Sequence, residues 1–178
     1  MDILNPFLMT KGQLKFLIVA VDLFTKWIEV EPLTTISEPN IQRFTWKNIL
    51  TRFGIPYAII TDNGLYFTNK RFNKFLMNLN IKHKTTSVEH PQSNRKTELA
   101  NKVILSELKK RLGLAKGAWV EQLPKILWAY RCTPKSSMKE APFRLTFGNN
   151  EMILIEIGEP LYRRVYFHEK DNYKKIYK

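Results

Sequence analysis

The sequence has a single cysteine, Cys132, and only three histidines, His83, His90 and His168, spread widely along 178 residues. One thiol cannot close an internal disulfide, which fits a reducing compartment. The same scarcity excludes a conventional Cys/His zinc module. No apolar run approaches the roughly 18 residues that a membrane span requires, and the acidic, proline-broken start is unlike a secretory leader. Acidic side chains are also scarce, 16 against 29 Lys and Arg, giving a net charge of +13 and a pI near 9.8. That balance attracts polyanions, nucleic acid first and an anionic membrane surface second. Disorder is not expected, because 44% of residues are apolar and 12% aromatic. One domain of ordinary size, soluble and intracellular, is the resulting expectation.

Elements follow from the hydrophobic pattern. "KFLIVAVDLF" (Lys15 to Phe24) and "WIEVEPL" (Trp27 to Leu33) read as two strands of a hairpin joined by Thr25-Lys26. Ser37 reads as an N-cap, with Glu38 and Pro39 in the first turn of a helix over 38–53. Its apolar positions are Ile41, Phe44, Ile49 and Phe53, and Gly54-Ile55-Pro56 stops it. "YAII" supplies a short strand into Asp62, and Asn69 caps a helix with Phe72, Phe75, Leu76 and Leu79 on one face. Ile81 to Ser87 is an edge-like strand. A polar loop then leads to a long amphipathic helix over about 95–112. Trp119 to Arg131 is helical, with Pro124 marking a kink or an early turn. After Pro134 the pattern reads as irregular. Residues 159–178 carry six basic residues against three acids and read as a mobile basic extension or the start of a connection. The order of elements implies an α/β fold with one mixed sheet.

The chemistry turns on carboxylates. In "IITDNGLYF" an apolar strand ends on Asp62, and a charge there is costly unless neutralised. Glu98 follows 36 positions later, in the first turn of the long helix, and Asp2 sits before the hairpin in "MDILNPF". Three converging carboxylates would suit Mg²⁺ or Mn²⁺, hard ions that prefer oxygen ligands. Two such ions, about 3.5–4 Å apart, stabilise the entering and leaving oxygens of an in-line displacement at phosphorus. Plainer readings stand beside this one. An Asp before Asn-Gly is a turn former, and a Glu near a helix start complements the macrodipole. Asp22, after "IVAV", is as good a strand carboxylate as Asp2.

Several stretches together resemble the integrase catalytic core of long-terminal-repeat retrotransposons of the Ty3/gypsy type. These are "MDILNPF", "FLIVAVDLFTKWIEVEPL", "TDNG" at 61–64, "HPQSN" at 90–94 with Glu98, "WAYRCTPKSS" at 128–137 and "APFRLTFG" at 141–148. The resemblance runs in order over about residues 1–158, which makes those residues the core and 159–178 an extension. It implies an RNase H-like fold, a mixed central sheet of about five strands flanked by helices. It also implies a metal-holding catalytic triad of Asp2, Asp62 and Glu98, with Asp22 dropping out. The implied activity is Mg²⁺- or Mn²⁺-dependent nicking of element-end DNA by water, then attack of the 3′-hydroxyl on target DNA. No protein nucleophile is needed. By the same resemblance Lys102 touches DNA. Gln92, Asn94 and Arg95 border the DNA end, and Lys109 shares the helical face of Glu98 and Lys102. Homo-oligomerisation and a nuclear site of action are implied likewise. Trp128 and Tyr130 recur in the motif but read as core.

Departures from the pattern are Arg95 where a glycine is usual, Asn5 for glycine, Glu89 for a small residue and Met138-Lys139 for Thr-Gly. With Asp2 so close to the chain start, a frayed strand would misplace it. A truncated relic that binds nucleic acid without turnover therefore stands as the alternative reading, and a same-fold nuclease for RNA–DNA hybrids as a third.

Overall fold

A computed structural model describes residues 1–4, 7–10, 12–85, 105–106, 108–136 and 138–149. The hairpin is present as β2 (Phe16–Val21) against β3 (Ile28–Leu33), antiparallel with Val19 opposite Val30. Its turn closes through Asp22, whose Oδ2 accepts from the Thr25 N–H and hydroxyl at 2.8 and 2.6 Å. β1 (Asp2–Leu4) joins the other edge of β2, with Asp2 opposite Val19. Asp2 therefore lies in a paired strand, and the fraying that would misplace it is not observed. β4 (Ala58–Thr61) pairs in parallel with β5 (Lys82–Thr85). The two sheets meet where the Met1 ammonium donates to Ile60 O. Among the described residues the five strands form an antiparallel three-stranded sheet and a parallel two-stranded sheet, so the α/β class is as expected while the pairing is in two sheets.

The near-continuous apolar run of β2 follows from burial on both faces. Leu4, Leu17, Val19 and Ile28 pack against the helical residues 108–114 (α5) and against α6 (Trp119–Cys132) through Leu108, Leu112, Trp119, Leu123 and Tyr130. On the other face Ile3, Ile18 and Leu33 pack with Ile59, Phe67 and Ile81. Covering them are Ile41 and Phe44 of α1 (Glu38–Phe44) and Phe72 and Leu76 of α4 (Lys70–Asn78). At 25 cal/mol per Å², each fully buried Leu, Ile or Phe contributes about 1.5–3 kcal/mol.

Two elements differ from the sequence reading. Residues 38–53 are not one uniform α-helix. α1 passes into a π-helical stretch, Thr45–Leu50, before α2 (Thr51–Phe53), and Gly54 then ends the helix at φ 85°. The segment after Pro134 is not wholly irregular, since Pro142–Phe147 forms α7, opened by Pro142 and closed by Gly148 at φ 75°. A further short helix, α3 (Leu65–Thr68), precedes Asn69, whose Oδ1 caps α4 by accepting from Arg71 N at 2.9 Å.

Candidate active site

β4 delivers Asp62 because its residues alternate between half-buried and buried positions. Ile59 and Thr61 point into the protein, and the strand ends as Asp62 emerges half-buried. Asp62 is also the turn former that its Asn-Gly context implied, since its Oδ1 accepts from Gly64 N–H at 3.0 Å. One carboxylate oxygen thus orients the turn. Gly64 is not there for conformational freedom, its φ being an ordinary −56°. A Cβ at this position would lie 2.6 Å from Cε2 and Cζ of Tyr66, so the absence of a side chain lets the Tyr66 ring fold back over the turn.

Asp2, paired opposite Val19, is half-buried with its Oδ1 accepting from Ile3 N–H at 2.7 Å, and its neighbour Met1 reaches β4 by donating to Ile60 O. Two neighbouring groups feel both carboxylates. The Met1 ammonium is pushed down to about 6 by burial, against Asp2 and Asp62, which both favour its charge. The Tyr66 hydroxyl is pushed above its usual pKa by burial first and then by the negative charges of Asp62 and Asp2. Asp22, by contrast, is committed to the hairpin turn.

Among the described residues no three Asp, Glu, His or Cys side chains form a metal-sized cluster. The third expected carboxylate, Glu98, lies outside the described residues, as do Gln92, Asn94, Arg95 and Lys102. Lys109 is exposed on α5. The two carboxylates that are described fit a hard cation. Both are oxygen donors, the ligand type that such an ion prefers.

Sequence reasoning missed the support beneath Asp62. Thr61 is buried, and its Oγ1 lies 2.9 Å from both the Asp62 carbonyl oxygen and His83 Nε2. His83 Nδ1 faces Asn73 Oδ1. Strand alternation places His83 inward between exposed Lys82 and Lys84, which was the available signal. Tyr130 is core as read, its hydroxyl donating to Lys26 O at 3.2 Å. Trp128, also read as core, is instead 38% exposed and edge-on to Phe143 at the surface.

The integrase core domain family matches residues 1–91. The Gag-Pol polyprotein of avian reticuloendotheliosis virus is 30% identical over 148 residues, 83% of this chain and 13% of that protein. That of gibbon ape leukemia virus is 34% identical over 149 residues, 83% of this chain and 9% of that protein. The chain therefore spans a small part of the length of these curated relatives. In fold it is similar to the crystal structure of the catalytic core domain of BIV integrase, with a TM-score of 0.58 at 19% identity, covering 81% of this chain and 90% of that one. It is also similar to a chain of the simian T-cell lymphotropic virus intasome in complex with PP2A regulatory subunit B56 gamma. There the TM-score is 0.62 at 19% identity, covering 85% of this chain and 55% of the other.

Proposed function

The chain belongs to the integrase core domain family, and from that premise we propose that it is the catalytic core of a polynucleotidyl transferase that inserts element DNA into target DNA. The observation that carries this reading is that β1 meets β4 where Met1 N donates to Ile60 O, next to Asp2 and two residues before Asp62, so that both carboxylates act on the Tyr66 hydroxyl. Asp2, Asp62 and Glu98 would hold Mg²⁺ or Mn²⁺, one ion or two. Bound there, the metal would supply Lewis-acid stabilisation of charge on the attacking and leaving oxygens of a phosphodiester.

The chain's own residues have separate tasks. Asp62 is oriented by the Gly64 N–H, which leaves the carboxylate fixed before substrate arrives. Asp2 is held by the β1–β2 ladder. Lys102 would pair with a phosphate of the element end, and Lys109 would extend that contact along the helix. Gln92, Asn94 and Arg95 would border the DNA end. The excess positive charge draws DNA in from solution. Action as a homo-oligomer in the nucleus belongs to the same proposal. Among the described residues no helix is long and apolar enough to cross a membrane.

The test is nicking and strand transfer on labelled duplex DNA with Mg²⁺ or Mn²⁺, comparing the chain with Asp62→Asn and Asp2→Asn. Each substitution should remove the metal-dependent activity while DNA binding persists. Equal activity in Asp62→Asn refutes the site. Salt-sensitive binding without turnover in the unsubstituted chain favours the nucleic-acid-binding relic, a reading weakened by the pairing of Asp2 within a strand.

A further inference from the structure

Asn73, His83 and Thr61 form one hydrogen-bonded line that ends on the backbone of Asp62. Asn73 Nδ2 donates to the carbonyls of Thr68 and Asn69, both at 3.1 Å, where α3 meets α4. Those two bonds engage both hydrogens of the amide nitrogen, so the face turned to His83 Nδ1, 2.5 Å away, is the amide oxygen. An amide oxygen can only accept, and Nδ1 therefore carries the imidazole proton. Burial first, and then the nearby N-terminal charge, push His83 below its usual pKa, so the ring is neutral at neutral pH. Its Nε2 is left as an acceptor facing Thr61 Oγ1 at 2.9 Å.

The single proton of the Thr61 hydroxyl is shared between two acceptors, His83 Nε2 and the Asp62 carbonyl, each at 2.9 Å, as a three-centre bond. Thr61 is 1% exposed, so no water competes for that proton. The line thus ties the α3–α4 junction to β5, β5 to β4, and β4 to the residue that carries the carboxylate. With Gly64 N–H holding Oδ1, Asp62 is fixed at its side chain and at its backbone.

We propose that His83, held by Asn73, is a positioning residue for Asp62: through the Thr61 hydroxyl it sets the direction in which β4 presents the carboxylate. The inference rests on the reading of Asp62 as a metal-holding group. The competing role is plain packing, since the imidazole also lies edge-on to Phe72 at 5.7 Å between centroids. Packing alone needs neither a particular tautomer nor the Thr61 hydroxyl.

The test uses the full chain, with Mn²⁺ binding followed by the ion's magnetic resonance signal and the imidazole nitrogens followed by ¹⁵N NMR. The neutral His83 ring is expected to carry its proton on Nδ1. Thr61→Val and His83→Leu should each weaken Mn²⁺ binding about 10-fold, the scale of outer-shell partners. His83→Gln, whose amide reaches the position of Nε2, should recover most of the affinity. Thr61→Val preserves side-chain shape, so it decides the question if His83→Leu does not fold. A proton on Nε2, or unchanged Mn²⁺ affinity in folded Thr61→Val, overturns the inference. Asp62→Asn separates the two readings. If it leaves Mn²⁺ binding intact, the metal reading fails and the inference falls with it. If it abolishes binding while Thr61→Val matches the parent, the metal reading stands and His83 has no positioning role.

Discussion

Glu29 is a buried carboxylate that strand alternation does not distinguish from half-buried Glu31 on the same face. It accepts from Trp27 Nε1 at 2.7 Å and Arg52 at 2.8 Å, with Arg131 at 3.6 Å. Arg131 in turn stacks on Trp27 and donates to Ile28 O at 2.7 Å. Removing one member of such a group leaves buried charge without compensation. Glu29→Ala should therefore destabilise the chain by about 3 kcal/mol in urea unfolding, and a change below about 0.5 kcal/mol, the range of ordinary surface substitutions, would mean that the ion pairs are solvated. His83 gives a second residue-level expectation. Its folded pKa is below the unfolded 6.5, so the unfolded chain binds more protons and the contribution of His83 is lost as pH falls below that value. The stability advantage over His83→Gln should shrink from pH 7 to pH 5 in parallel urea titrations. An advantage that grows on acidification would show that the cation is the favoured form.

At the scale of elements, the helix beginning at Glu38 is the instructive case. Its apolar positions Ile41, Phe44, Ile49 and Phe53 include a gap of five between Phe44 and Ile49, wider than an α-helical repeat. The π-helical Thr45–Leu50 absorbs that gap and keeps Leu50 in the core. Buried Thr45 supports the change of pitch, its Oγ1 donating to Ile41 O at 2.8 Å. α7 was missed, although Pro142 and Gly148 in "APFRLTFG" mark its start and end, because six residues are too few for periodicity to declare a helix. What holds α7 is aromatic packing, with Phe143 and Phe147 against Trp27 at 6.2 and 5.1 Å. Gly148 adopts φ 75°, where a Cβ is strained. Gly148→Ala should cost about 1 kcal/mol and Gly148→Asn less, measurable as a shift in the unfolding midpoint. Equal stability of all three would show that the helix end adapts.

For the molecule as a whole, the net charge of +13 predicts that DNA affinity falls linearly on a log–log plot against salt. A flat dependence would argue that bound DNA is held by base contacts instead of phosphates. The layered packing explains why so much of the fold was readable. A sheet covered on both sides requires near-continuous apolar strands, and covering helices require one apolar face each. The site was less readable, because its parts come from β1, β4, β5 and α4, far apart in sequence. No local pattern marks Thr61, His83 and Asn73 as neighbours.

The order of most elements, the basic charge, the hairpin and the end of β4 at Asp62 were determined by the sequence itself, since each depends on local propensity, local alternation or a simple sum over side chains. Only the tertiary structure decided that Asp2 and Asp62 act on the same groups, that Glu29 is buried, and that His83 stands behind Thr61. Those facts depend on strand pairing and helix docking between residues distant along the chain, and such contacts leave no periodic trace in either partner.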